Sequence, residues 1–181
     1  LYYYILFAAT IIIFHGFLGR TSRNFADNLG TSCKFMAVGL VALYGLNELA
    51  YRLTRLVVPT QTNLNDTTIS AQIQDAPHMT LLIVIFLAPF VEEVLFRGLV
   101  FGNLRRKSAA VGYIVSCLLF ALLHVWQFAV VNRDITYFLL MLQYLVPGLV
   151  LAWVYDRTGT LWTSIGLHAA ANALAAWTLV A

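Results

Sequence analysis

Apolar residues gather in six runs of membrane-crossing length, at 1–19, 33–58, 79–103, 109–131, 135–155 and 160–181. About 20 such residues span a bilayer's hydrocarbon core as a helix. Lipid offers no partners to backbone N–H and C=O groups, so each run must satisfy its own backbone by being helical. The pattern predicts an all-α fold, a polytopic transmembrane helix bundle of about six spans. The second run is the most interrupted, by Asn47, Glu48, Arg52 and Arg55. Glu48 and Arg52 stand i,i+4 on one helix face, which predicts an interfacial ion pair. The one long polar stretch divides the chain into N-terminal membrane helices at 1–58, a polar extramembrane loop with room for a short surface helix at 59–78, and a helix bundle at 79–181. All belong to one integrated membrane domain.

Composition agrees with the pattern: 61% of residues are hydrophobic and 10% charged, against about a quarter charged in soluble domains. The basic residues are placed unevenly. Arg20, Arg23 and Lys34 flank the first connection, Arg105, Arg106 and Lys107 fill the third, and Arg157 lies in the fifth, whereas Arg133 of the fourth is balanced by Asp134. Positive charge marks the cytoplasmic side, so the first, third and fifth connections are expected there. The chain would then begin outside, which predicts a further span upstream of Leu1. The net charge of +3 is thus an orientation signal and predicts no nucleic-acid partner. Cys33 and Cys117 offer neither a disulfide framework nor a metal knuckle.

A few polar groups lie deep inside the runs: Glu92, Glu93 and Arg97 in the third, His124 in the fourth, His168 and Asn172 in the sixth. Ionisable groups at such depth are costly and normally face a bundle interior. At 1.5 Å per residue, Glu92, His124, His168 and Asn172 fall roughly 12–22 Å from the cytoplasmic ends of their runs, in one slab near mid-membrane. Neighbours on a helix diverge by about 100°, so Glu92 and Glu93 are expected to have different partners. Glu93 can pair with Arg97 four residues on, leaving Glu92 to a group on another span. Pro89, three residues before Glu92, can distort the helix beside that carboxylate. Gly98 and Gly102 form a GxxxG pair, and alanines crowd the last run, so the third and sixth runs are candidates for the packed centre.

This constellation supports amide hydrolysis. A carboxylate and a histidine can hold and deprotonate a water. The other imidazole and the Asn172 amide can stabilise the tetrahedral oxyanion. The competing account is zinc, held by Glu92, His124 and His168 with a fourth position open for water. Asn172 suits the oxyanion role better than the ligand role, so no cofactor is the favoured reading. There is no HExxH or Gly-x-Gly-Asp motif. Ser164 and His168 share one helix face, where parallel side chains rarely converge as a dyad. A proton-coupled transporter using Glu92 and His124 as a relay, or a non-catalytic membrane immunity protein, would use the same residues differently.

Glu92-Glu93-x-x-x-Arg97, Phe120-x-x-x-His124 and His168-x-x-x-Asn172, in this order on successive hydrophobic segments, resemble the CPBP family of intramembrane proteases, also called the Abi or CAAX-protease-like family. The resemblance implies an all-helical membrane endopeptidase with a cavity open to the cytoplasm. In it Glu92 and His124 would activate water, His168 and Asn172 would form the oxyanion site, and Glu93 with Arg97 would support the structure. It further implies a protein of a bacterial plasma membrane. Its partners would be the lipid bilayer and a peptide substrate, either a bacteriocin or pheromone precursor or a prenylated peptide, and its role precursor processing or self-immunity.

Overall fold

The computed structural model describes residues 2–57 and 64–180; Leu1, residues 58–63 at the start of the expected polar loop, and Ala181 lie outside the described residues. Every regular element described is helical: α1 (Tyr2–Asp27), α2 (Leu29–Val57), α3 (Leu64–Asp75), α4 (Pro77–Arg105), α5 (Ala109–Asn132), α6 (Met141–Thr158) and α7 (Leu161–Val180). A 3-10 stretch, Ile135–Leu140, leads into α6. Five of the helices are long and apolar enough to cross a membrane, those containing Tyr2–Asp27, Leu29–Leu53, Pro77–Arg105, Ala109–Asn132 and Tyr137–Thr158. The protein is an integral membrane protein. The sixth run forms α7, whose Thr, Ser, His and Asn residues hold its hydropathy below that of the other five. It packs on α1, α2, α3, α4 and α6, so its polar residues meet protein.

Two clusters form the core. Leu43, Phe96, Phe120, Val150, Leu151, Val154, Leu167 and Ala171 join α2, α4, α5, α6 and α7. Leu18, Phe90, Val91, Val94, Leu161 and Ile165 join α1, α4 and α7. Because lipid is as apolar as leucine, close packing supplies much of the association, and two glycines allow it here. A Cβ on Gly39 would lie 2.6 Å from Leu167 Cδ2 and 2.8 Å from Val154 Cγ2, and one on Gly98 would lie 2.8 Å from Phe17 Cε1. The first half of the GxxxG pair therefore seats α1. α4 is 56% buried in its most apolar window, the highest share of the five spans, in keeping with its expected central place.

The basic ends of the helices meet. The Leu161 N–H at the start of α7 donates to Thr21 Oγ1 (2.7 Å), and Asn24 Nδ2 donates to the Gly159 carbonyl (2.7 Å). Gly159 closes α6 in the left-handed region, at φ 64°, which glycine adopts without a Cβ penalty. Arg105 pairs with Asp156. The first, third and fifth connections thus lie at one end, as the alternation of charge along the chain requires. The Glu48–Arg52 pair forms at 2.7 Å on the exposed face of α2. Within the polar stretch, α3 is the expected short helix, with Ile73 buried.

Candidate active site

The site begins with a fault in α4. Ile83–Leu87 and Val94–Phe101 are π-helical, wider than the α-helical segment Ala88–Glu93 between them, and π-bulges recur at functional sites. In the first stretch the Ala88 N–H bonds the carbonyl five residues back, on Ile83. The next residue in that register is Pro89, which has no N–H to offer Val84. Asn172 Nδ2 donates to the Val84 carbonyl instead, at 2.8 Å. A helix-breaking residue on α4 and an amide on α7 are therefore two halves of one contact. In the second stretch Ser116 Oγ donates to the Phe96 carbonyl (2.9 Å).

Next comes a buried ionic core. Glu93 and Arg97 are fully buried and pair at 2.9 Å, the expected i,i+4 bridge. Arg97 also donates to the Gly148 carbonyl (3.1 Å) and lies 4.4 Å from the Phe120 ring centroid, a cation–π contact. Glu93 Oε1 serves a second donor, His168 Nδ1, at 2.9 Å. An ionised carboxylate can only accept, so Nδ1 carries the proton and His168 Nε2 faces the other way.

That other side is Glu92. Its Oε2 lies 4.0 Å from His168 Nε2 and 3.9 Å from His124 Nε2. His124 is oriented like His168: its Nδ1 is 2.9 Å from the Phe120 carbonyl, an acceptor, so Nε2 again points at the carboxylate. The two glutamates were expected to serve separate partners, and Glu92 does find its counterparts on other spans. The departure is His168, which touches both. An imidazole presents nitrogens on opposite edges, so one ring can bridge two carboxylates that diverge around the helix. Glu92, His124 and His168 come together. Asn172 sits one turn from His168 but turns its amide to Val84.

The spacing discriminates between possible occupants. An oxygen about 2.8 Å from both Glu92 Oε2 and His124 Nε2 would subtend roughly 90°, near the angle between a water's two hydrogen bonds. Ligands of tetrahedral zinc at about 2.0–2.1 Å stand about 3.3–3.4 Å apart, closer than the 3.9 and 4.0 Å seen. Among the described residues no group of three or more His, Cys, Asp or Glu side chains is placed to hold a metal. As arranged, the spacing of Glu92 Oε2 and His124 Nε2 has room for a bridging water.

Three contributors could not be found from sequence. Tyr144 stacks on His124, with centroids 4.7 Å apart and planes 21° from parallel. His124 also meets Phe120 at 4.6 Å, and Phe120 touches His168 edge-on at 5.8 Å. Tyr144 had no distinguishing signal among nine tyrosines. The carbonyls of Val84 and Gly148 are backbone groups and carry no residue signature. Ser164 Oγ donates to the Leu161 carbonyl (2.9 Å) and stands apart from the histidines as a local hydrogen-bonder.

The family model described as type II CAAX prenyl endopeptidase Rce1-like matches residues 74–174. The UPF0177 protein YxdF of Lactococcus lactis subsp. lactis (strain IL1403) is 30% identical over 86 residues, 48% of this chain and 42% of that protein. The similarity therefore spans about two-fifths of the relative's length. No solved structure matches. The matched segment contains every residue of the polar constellation, from Glu92 to Asn172.

Proposed function

The chain belongs to the Rce1-like family of type II CAAX prenyl endopeptidases, and on that premise we propose that it is an intramembrane endopeptidase hydrolysing a peptide bond in a small peptide or CAAX-like substrate. The observation that carries this reading is the approach of His124 Nε2 and His168 Nε2 to the same Glu92 oxygen, Oε2. Glu92 and His124 hold a water, and one of them takes its proton as the oxygen attacks the peptide carbonyl carbon. The resulting oxyanion is met by His168 and Asn172. With Nδ1–H already given to Glu93, His168 donates from Nε2 only as the imidazolium, which the Glu93 carboxylate stabilises. Collapse of the tetrahedral species breaks the C–N bond, and the departing amine takes the proton back from Glu92 or His124. Glu93 and Arg97 support the arrangement. We place the protein in a bacterial plasma membrane with its site open to the cytoplasm, acting on a bacteriocin or pheromone precursor or on a prenylated peptide, for processing or self-immunity.

The test is cleavage of candidate peptides, prenylated and unprenylated, by protein reconstituted in liposomes, with products read by mass spectrometry. Cleavage is expected to persist in a strong chelator. Loss in chelator that added zinc restores would replace the water-only mechanism with a metal one.

Tyr144 supplies a second prediction. Aromatic pairs are worth about 0.5–1.5 kcal/mol, so Tyr144→Leu should lower kcat roughly two- to tenfold by loosening His124. Tyr144→Phe, which keeps the ring, should retain near-full rate. Steady-state kinetics of both variants decide it: an equal loss in Phe and Leu would assign the effect to the hydroxyl instead.

A further inference from the structure

A cavity of about 510 Å³ lies at the basic end of the bundle, between α1 and the ends of α4 and α6. None of its lining residues belongs to the catalytic set. One wall is apolar, formed by Phe17 and Leu99, and Gly102 leaves the floor low: a Cβ there would have Arg97 O at 3.4 Å and Tyr155 Oη at 3.6 Å as its nearest neighbours. The opposite wall carries Arg105, Arg106, Tyr155 and Asp156. Their charges are not all balanced internally. Asp156 is taken by Arg105 and by the Tyr113 hydroxyl at 3.1 Å. Among the described residues nothing pairs with the Arg106 guanidinium, and nothing hydrogen-bonds the Tyr155 hydroxyl. Both groups line the cavity. The same end of the bundle carries seven basic side chains against Asp27 and Asp156.

We propose that this cavity binds an anionic phospholipid, its phosphate taken by Arg106 and the Tyr155 hydroxyl and one acyl chain lying along Phe17 and Leu99. The ligand chemistry follows from the lining: donors without an acceptor at the headgroup level, hydrocarbon below them, and a net positive rim. A basic side chain at an anionic membrane surface contributes on the order of 1 kcal/mol, a factor of about five in affinity, and Tyr155 adds a hydrogen bond to the same phosphate. A lipid seated there would touch α1, α4 and α6 together.

Native mass spectrometry of the whole chain released from a neutral detergent tests this, with phosphatidylglycerol or phosphatidylcholine added. One phosphatidylglycerol should be retained in preference to phosphatidylcholine. The double variant Arg106→Gln, Tyr155→Phe should weaken that retention about five- to tenfold, while Lys107→Gln, outside the cavity, should leave it unchanged. Circular dichroism without lipid identifies a folding failure of the double variant. Tyr155→Phe alone, which keeps the ring on Phe101 at 5.9 Å, then carries the test by a smaller loss. Equal retention of phosphatidylcholine, undiminished binding in the variants, or displacement of the lipid by millimolar inorganic phosphate would each overturn the proposal.

Discussion

Replacing Glu92 by glutamine is expected to abolish peptide cleavage while leaving folding and membrane insertion intact. The substitution keeps size and hydrogen-bonding capacity and removes the one property the mechanism needs, a carboxylate able to take a proton from water. General base catalysis is worth about 10²–10⁴-fold. The fall should appear in kcat, with KM little changed, because the side chain is poised for the reacting water. Stability should hardly move: the nearest ion-pair partners of Glu92 are 3.9 and 4.0 Å away, beyond direct hydrogen bonds, so no strong contact is lost. The inactive variant should then hold its substrate, and peptides co-purifying with it can be identified by mass spectrometry. Cognate peptide cleaved by the variant at the wild-type rate would remove Glu92 from the mechanism. A non-catalytic immunity protein would protect cells equally well with glutamine in place, and a proton relay would fail in transport where no peptide is cut.

The helical architecture was legible because hydrocarbon permits so few alternatives: a run of apolar residues long enough to cross must be helical. Charge alternation placed three connections at one end, and Asn24 on Gly159 with Arg105 on Asp156 join them there. Sequence also singled out Glu92, His124 and His168, since polar groups deep in apolar runs are rare enough to stand out. Side-chain direction was less legible. Glu92 and Glu93 end the α-helical segment between the two π-helical stretches of α4 and do diverge, yet His168 reaches both, one with each ring nitrogen. Pro89 was visible as a helix fault, but its remedy was not. The carbonyl it leaves to Asn172 is specified by a hydrogen-bond register that no residue identity records. Tyr144 is invisible for a related reason: an aromatic ring in an apolar span looks the same whether it faces lipid or an imidazole.

Arg97→Leu should be the most destabilising single change in the site. Both members of the Glu93–Arg97 pair have no solvent exposure, and removing the cation leaves Glu93 buried with His168 as its remaining charge-bearing contact. Breaking one partner of a buried pair costs about 3–5 kcal/mol, because the other charge is left uncompensated. Arg97 additionally gives up its bond to the Gly148 carbonyl and its seat over Phe120. Unfolding in mixed detergent should report the loss. The informative comparison is the double variant Arg97→Leu, Glu93→Gln, in which no orphaned carboxylate remains. It should recover a good part of the stability without recovering cleavage, because Glu93 also fixes His168 Nδ1 at 2.9 Å and a neutral amide stabilises an imidazolium far less. A single Arg97→Leu variant with wild-type stability would remove the Glu93–Arg97 pair from the support of the site.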